Sequence, residues 1–105
     1  MNRKNRIKRI AEKVVKHNLL KDGYNIMDRI GEEQGLPDLL AGREQHFFLV
    51  HVNPAVYPLS PRELNDDERE RMKYLARKFK AFPCKAQVKL NADLSVMDLR
   101  YVPIR

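Results

Sequence analysis

Glu12, Asp38, His51 and Asn53 are of types that could ligate a cation or move a proton. Each also has a plainer reading. Asp38 follows a proline, and such an Asp commonly bonds its own backbone in a turn. His51 lies inside an apolar run, where a hydrogen-bonded core histidine is the ordinary outcome, and no second His or Cys stands at metal-ligand spacing from it. Glu12 can pair with Lys8 or Lys16 one helical turn away. Cys84 follows a proline at a strand entrance with no base nearby, which does not suit a nucleophile. A different chemistry belongs to the N-terminal arm. Arg3, Lys4, Arg6, Lys8, Arg9, Lys13 and Lys16 face the single acid Glu12 in the first 16 residues. A solvated helix face ordinarily mixes both signs, whereas a one-signed face attracts phosphates, or failing that an anionic membrane surface. Membrane use is disfavoured because the apolar stripe of this helix lacks Trp and Phe and is needed for the core.

Those residues must be positioned by one modest core, for which 105 residues with a 43% hydrophobic share suffice. We therefore expect a single domain over 1–105. Lys and Arg number 21 against 14 Asp and Glu, a formal charge of +7 with a pI near 9.8, which favours a polyanionic partner and says nothing about fold. The lone cysteine leaves no internal disulfide to form. No apolar run approaches the roughly 18 residues of a membrane span or follows a signal-peptide layout, so a cytoplasmic protein is expected.

Apolar residues Ile7, Ile10, Ala11, Val14 and Val15 recur at helical spacing, and Asp22-Gly23 should end that helix. Tyr24 to Met27 reads as a short strand. Gly31-Glu-Glu-Gln-Gly35 reads as a loop, and Asp38-Leu-Leu-Ala41 as a second strand. Gly42-Arg-Glu-Gln45 should make the hairpin into a third strand, His46 to Val52, apolar enough to be central. Asn53-Pro54 and Tyr57-Pro58 should break the ladder. A second helix can start at Ser60, with Pro61 and Glu63 completing a cap, or at Asn65 with Glu68. Its buried stripe is Met72, Leu75, Ala76 and Phe79, with acids at the front and bases at the back to suit the helix dipole. Pro83 should close it. Lys85 to Leu90 and Val96 to Val102 then give strands four and five around an Asn91 to Asp93 turn.

The order helix, three strands, helix, strand, with Gly35-Leu-Pro-Asp38 opening the second strand and His51-Val52-Asn53 on the third, resembles the PD-(D/E)XK nucleases, in particular minimal archaeal Holliday junction resolvases. The resemblance implies an α/β restriction-endonuclease-like fold, a mixed sheet of four or five strands flanked by helices. It places Asp38 at the motif Asp, His51 and Asn53 where a Glu and a Lys are usual, and Glu12 at the acid on the first helix. It thus implies a catalytic set of Glu12, Asp38, His51 and Asn53 in degenerate form. A cation, Mg²⁺ or Mn²⁺, would be held by Asp38 and His51, the imidazole favouring softer metals than Mg²⁺. The expectation is a DNA-binding, nuclease-like protein with weak or absent catalysis, leaning towards a non-enzyme, and able to form a homodimer. Branched or double-stranded DNA is the expected partner, with RNA as the alternative. Its contacts would be Arg3, Lys4, Arg6, Lys8, Arg9, Lys13 and Lys16, extended by Lys85 and Lys89 beside Arg100. The rivals are an active metal-dependent endonuclease and a basic accessory subunit with no catalytic site.

Overall fold

Asn2 starts the first helix earlier than its apolar stripe does, because its side chain accepts a hydrogen bond from the Asn5 N–H at 2.8 Å. The computed structural model describes residues 2–30 and 38–105, so the expected loop at 31–35 lies outside the described residues. Helix α1 spans Arg3–Lys21. It ends where Gly23 takes φ 87° and the N–H groups of Gly23 and Tyr24 cap the carbonyls of Leu20 and Leu19. There follow β1 (Asn25–Ile30), β2 (Asp38–Arg43), β3 (His46–Val56), α2 (Asp66–Phe79), β4 (Phe82–Leu90) and β5 (Val96–Pro103). The five strands lie side by side in sequence order, and all neighbours are antiparallel except β3 and β4, which α2 joins in parallel.

Alternation along the strands sorts the side chains between two cores. On one face Leu39, Ala41, Val50, Val52, Ala86, Val88 and Leu90 pack under Ala11, Val15 and Leu19 of α1. On the other, Leu49 meets Met72 and Ala76 of α2, with Leu64 and Ile104. The central β3 is covered on both sides, as its apolar run requires. One consequence decides the chemistry: Asp38, His51, Asn53 and Lys85 share the parity of Leu49 and face α2.

Several sequence expectations need correction. Gly42 belongs to β2 and the turn is Glu44-Gln45, with Glu44 at φ 58°; a Cβ at Gly42 would come 2.9 Å from both the Met27 sulfur and the Phe47 ring. Strand β3 runs through Asn53-Pro54 to Val56. Among the described residues the pairing of β3 with β2 reaches Asp38 opposite His51, and Pro54 keeps its place in the ladder opposite Val88 of β4. Helix α2 uses the second of its two possible starts: the Asn65 side chain accepts from the Glu68 N–H, and Glu68 accepts from the Asn65 N–H. Its end is set by Lys80 in the left-handed region at φ 54°, not by Pro83, which lies within β4. Among the described residues no helix is long and apolar enough to cross a membrane.

Candidate nucleic-acid interface

The short β2–β3 turn puts Asp38 directly opposite His51, and the parallel ladder puts His51 beside Lys85. Asp38 is 1% exposed, and burying an ionised carboxylate demands partners. It has two. Nδ1 of His51 lies 2.9 Å from Oδ1, and Nη1 of Arg71 donates to Oδ2 at 2.7 Å. An ionised carboxylate only accepts, so His51 carries its proton on Nδ1 and directs Nε2 away from Asp38. Arg71 stands on the second turn of α2, next in sequence to Met72, which is buried against the sheet.

The same face holds two further ties. Asn53, also buried, donates its side-chain N–H to the Arg62 carbonyl at 2.8 Å, which fixes the segment leading into α2. Arg62 in turn grips both oxygens of Glu68, at 2.8 and 2.7 Å. That bidentate bond, helped by the capping hydrogen bond from Asn65 and the nearby charges of Arg62 and His51, lowers the Glu68 carboxyl to about 2. Lys85 is 6% exposed and donates to Glu63 at 2.7 Å, which holds the Glu63 carboxyl below its usual range.

A cleft of about 750 Å³ opens beside the end of β3, on residues 51–55. Arg3, Lys4 and Lys8 from the start of α1 border it on one side, and Arg62 and Arg71 on the other. His51 and Asn53 contribute to its wall, and among the described residues its one acid, Glu68, is already paired with Arg62. The result is a cationic rim around a largely apolar floor. Of the expected phosphate contacts, Arg3, Lys4 and Lys8 reach this cleft, while Arg6, Arg9 and Lys13 are exposed further along α1. Lys16 lies 3.8 Å from Glu12.

The expected extension of this basic edge by Lys85, Lys89 and Arg100 does not form beside α1. Strand parity turns Lys85 and Lys89 to the α2 face, where Lys85 is spent on Glu63. Arg100 lies 3.5 Å from Asp98, the register partner of Lys89. Glu12 and Asp38 are likewise separated by the sheet. Glu12 is buried against Arg29, whose Nε and Nη2 both donate to its carboxylate, and β1 register aligns Arg29 with Leu39 on the α1 face. The structure therefore joins Asp38 to His51, with Asn53 on the same strand face, and leaves Glu12 apart. Arg71 was not singled out in the sequence; its only sign there was a base at the α2 turn just before the buried Met72.

These residues do not fit a divalent cation. Among the described residues no group of three or more His, Cys, Asp and Glu side chains is placed to hold one. Both Asp38 oxygens are engaged by nitrogen donors, Oδ1 by His51 and Oδ2 by the guanidinium of Arg71, which compete with a hard cation for them.

Comparisons with known proteins support the architecture. A family model described as a domain of unknown function (DUF8840) matches residues 5–101. No curated protein matches the chain in sequence. Among solved structures the chain is similar to Hjc, a Holliday junction resolvase from the archaeal hyperthermophile Archaeoglobus fulgidus, with a TM-score of 0.66 and 24% identity over 89% of this chain and 72% of that one. At that identity the likeness speaks for the fold, which is the restriction-endonuclease-like α/β architecture expected from the sequence.

Proposed function

The chain belongs to the DUF8840 family, a family of domains of unknown function, and from its own residues we propose that it is a nucleic-acid-binding protein on a nuclease-like frame in which an Asp38–His51–Arg71 cluster replaces a metal site. The observation that carries this reading is the cleft, which gathers Arg3, Lys4 and Lys8 of α1 with Arg62 and Arg71 of the α2 side around one opening. Phosphates attract such a rim without regard to sequence, and guanidinium groups match phosphate oxygens in pairs. The solved Holliday junction resolvase of similar fold adds weight to a DNA ligand.

Catalysis through a bound cation is not part of this reading, because the residues at Asp38 satisfy one another. His51 brings no second carboxylate, and Asn53 brings no positive charge to a phosphate. Fluorescence anisotropy with labelled DNA and RNA, in EDTA and in Mg²⁺ or Mn²⁺, tests the proposal. Binding that survives EDTA, with the oligonucleotides left intact in either metal, is expected. Cleavage in Mn²⁺ would replace it with the endonuclease reading, and no binding to any nucleic acid would leave a basic accessory protein.

A further inference from the structure

The cleft is cationic at its rim and apolar at its floor, and a surface that only tracked phosphates would need no such floor. Val52, Pro54, Ala55, Leu59, Ile7 and Met72 form it. Leu59, at its lip, is 70% exposed. Exposed apolar side chains gathered around a concavity commonly mark what covers them. We propose, resting on the nucleic-acid reading above, that this cleft receives one unpaired nucleotide, its base against the apolar floor and its phosphate against Arg71.

The dimensions and the polar groups agree with that occupant. A volume of about 750 Å³ lies in the range of sites that enclose small ligands. A duplex keeps the faces of its bases stacked inside and offers phosphates and polar groove edges, so it would leave the apolar floor wet. An unpaired base has an apolar π-face to cover it and polar edges to be read. Asn53 supplies a reader: its neighbour at 2.8 Å is a carbonyl, which can only accept, so the amide N–H is committed to Arg62 and the amide oxygen remains as an acceptor. Arg71 commits Nη1 to Asp38 and is 44% exposed, with further N–H groups to offer a phosphate. Asp38 orients that guanidinium from below, as a positioning residue. The rim cations then guide the flanking backbone in and out.

The test uses the full chain in EDTA with three probes of one sequence: a single strand carrying one 2-aminopurine, the blunt duplex, and the same strand with an abasic site in place of the 2-aminopurine. Single-strand affinity about tenfold or more above the duplex, a change in 2-aminopurine emission on binding, and weaker binding of the abasic strand are expected. Ala55→Phe, which fills the floor, and Leu59→Glu, which puts a like charge at its exposed lip, should each lower single-strand affinity about tenfold. Two variants are used so that a folding defect in one, seen by circular dichroism, leaves the other decisive. Equal affinity for strand and duplex with unchanged 2-aminopurine emission would overturn the inference and leave the nucleic-acid reading standing. Failure to bind any of the probes would overturn both.

Discussion

Arg71 is the residue on which the chemistry of this site turns. With it in place, the Asp38 charge is matched; without it, a buried carboxylate keeps only an imidazole. Arg71→Ala should therefore destabilise the fold by about 1–3 kcal/mol, reduced from the cost of breaking a fully buried pair because the guanidinium is partly exposed. Asp38→Asn keeps a hydrogen-bonding side chain and removes the buried charge, so it should cost less. Urea denaturation of both variants measures the difference, and a larger loss for Asp38→Asn would mean that the charge itself is wanted. Cys84 offers a second expectation. Burial pushes its thiol up to about 12, so almost no thiolate exists near neutrality and a native-state alkylating reagent should leave it unmodified while the unfolded chain reacts. That Asp38 and His51 belong together was legible through the resemblance; a turn over 42–45 would set Asp38 opposite Leu49, and it is the shorter turn at Glu44-Gln45 that brings His51 opposite it. Arg71 was not, since it reaches Asp38 across 33 positions and the phase of a helix over a sheet is written in packing that no local pattern records. Likewise the i, i+4 partner of Glu12 could be read, while Arg29, 17 residues on, came only with the register of β1.

At the scale of elements, α2 depends on how it begins. Asn65 and Glu68 satisfy each other's backbone donors, and Arg62 locks Glu68 from outside, so the cap and the cleft wall are one structure. Asn65→Ala should lower stability by about 1 kcal/mol and loosen the placement of Arg71 one turn later, readable as a fall in thermal midpoint. The pH dependence has a definite sign. Glu68 titrates at about 2 in the folded chain against 4.5 when free, so its contribution is complete above the free value and fades as pH falls from there towards 2. Solvent screening keeps that contribution near 1 kcal/mol. Acid titration of the Glu68→Gln variant should consequently show a shallower loss of stability over that window than the wild type. Both candidate starts for this helix carried cap signals in the sequence; the choice fell to Asn65 because Arg62 and Glu63 are used by Glu68 and Lys85 before the helix begins. Gly42 and Pro54 misled for a shared reason. Each usually punctuates a chain, yet here one is required by a side-chain contact across the strand and the other stays within β3 opposite Val88 of β4.

Across the whole molecule, the positive charge is organised rather than spread. Strand parity sends Lys85 inward to Glu63 and separates Glu12 from Asp38, while the early start of α1 carries Arg3, Lys4 and Lys8 to the cleft that Arg71 borders. Fold class was legible because the element order and the doubly apolar β3 leave few ways to build a sheet between two helices. The cleft was not, because it forms from segments far apart in the chain, the start of α1, the end of β3 and the approach to α2. The central claim, that this cleft binds nucleic acid through its rim cations and without a metal, is most directly tested by the salt dependence of binding to a single strand in EDTA, measured for the wild type and for a Lys4→Ala, Lys8→Ala variant. The account predicts a linear fall of log K with log salt, and a slope shallower in the variant by about 1.4, the loss of roughly two phosphate contacts. Identical slopes and affinities for the two proteins, or binding that appears only when Mg²⁺ is added, would contradict it.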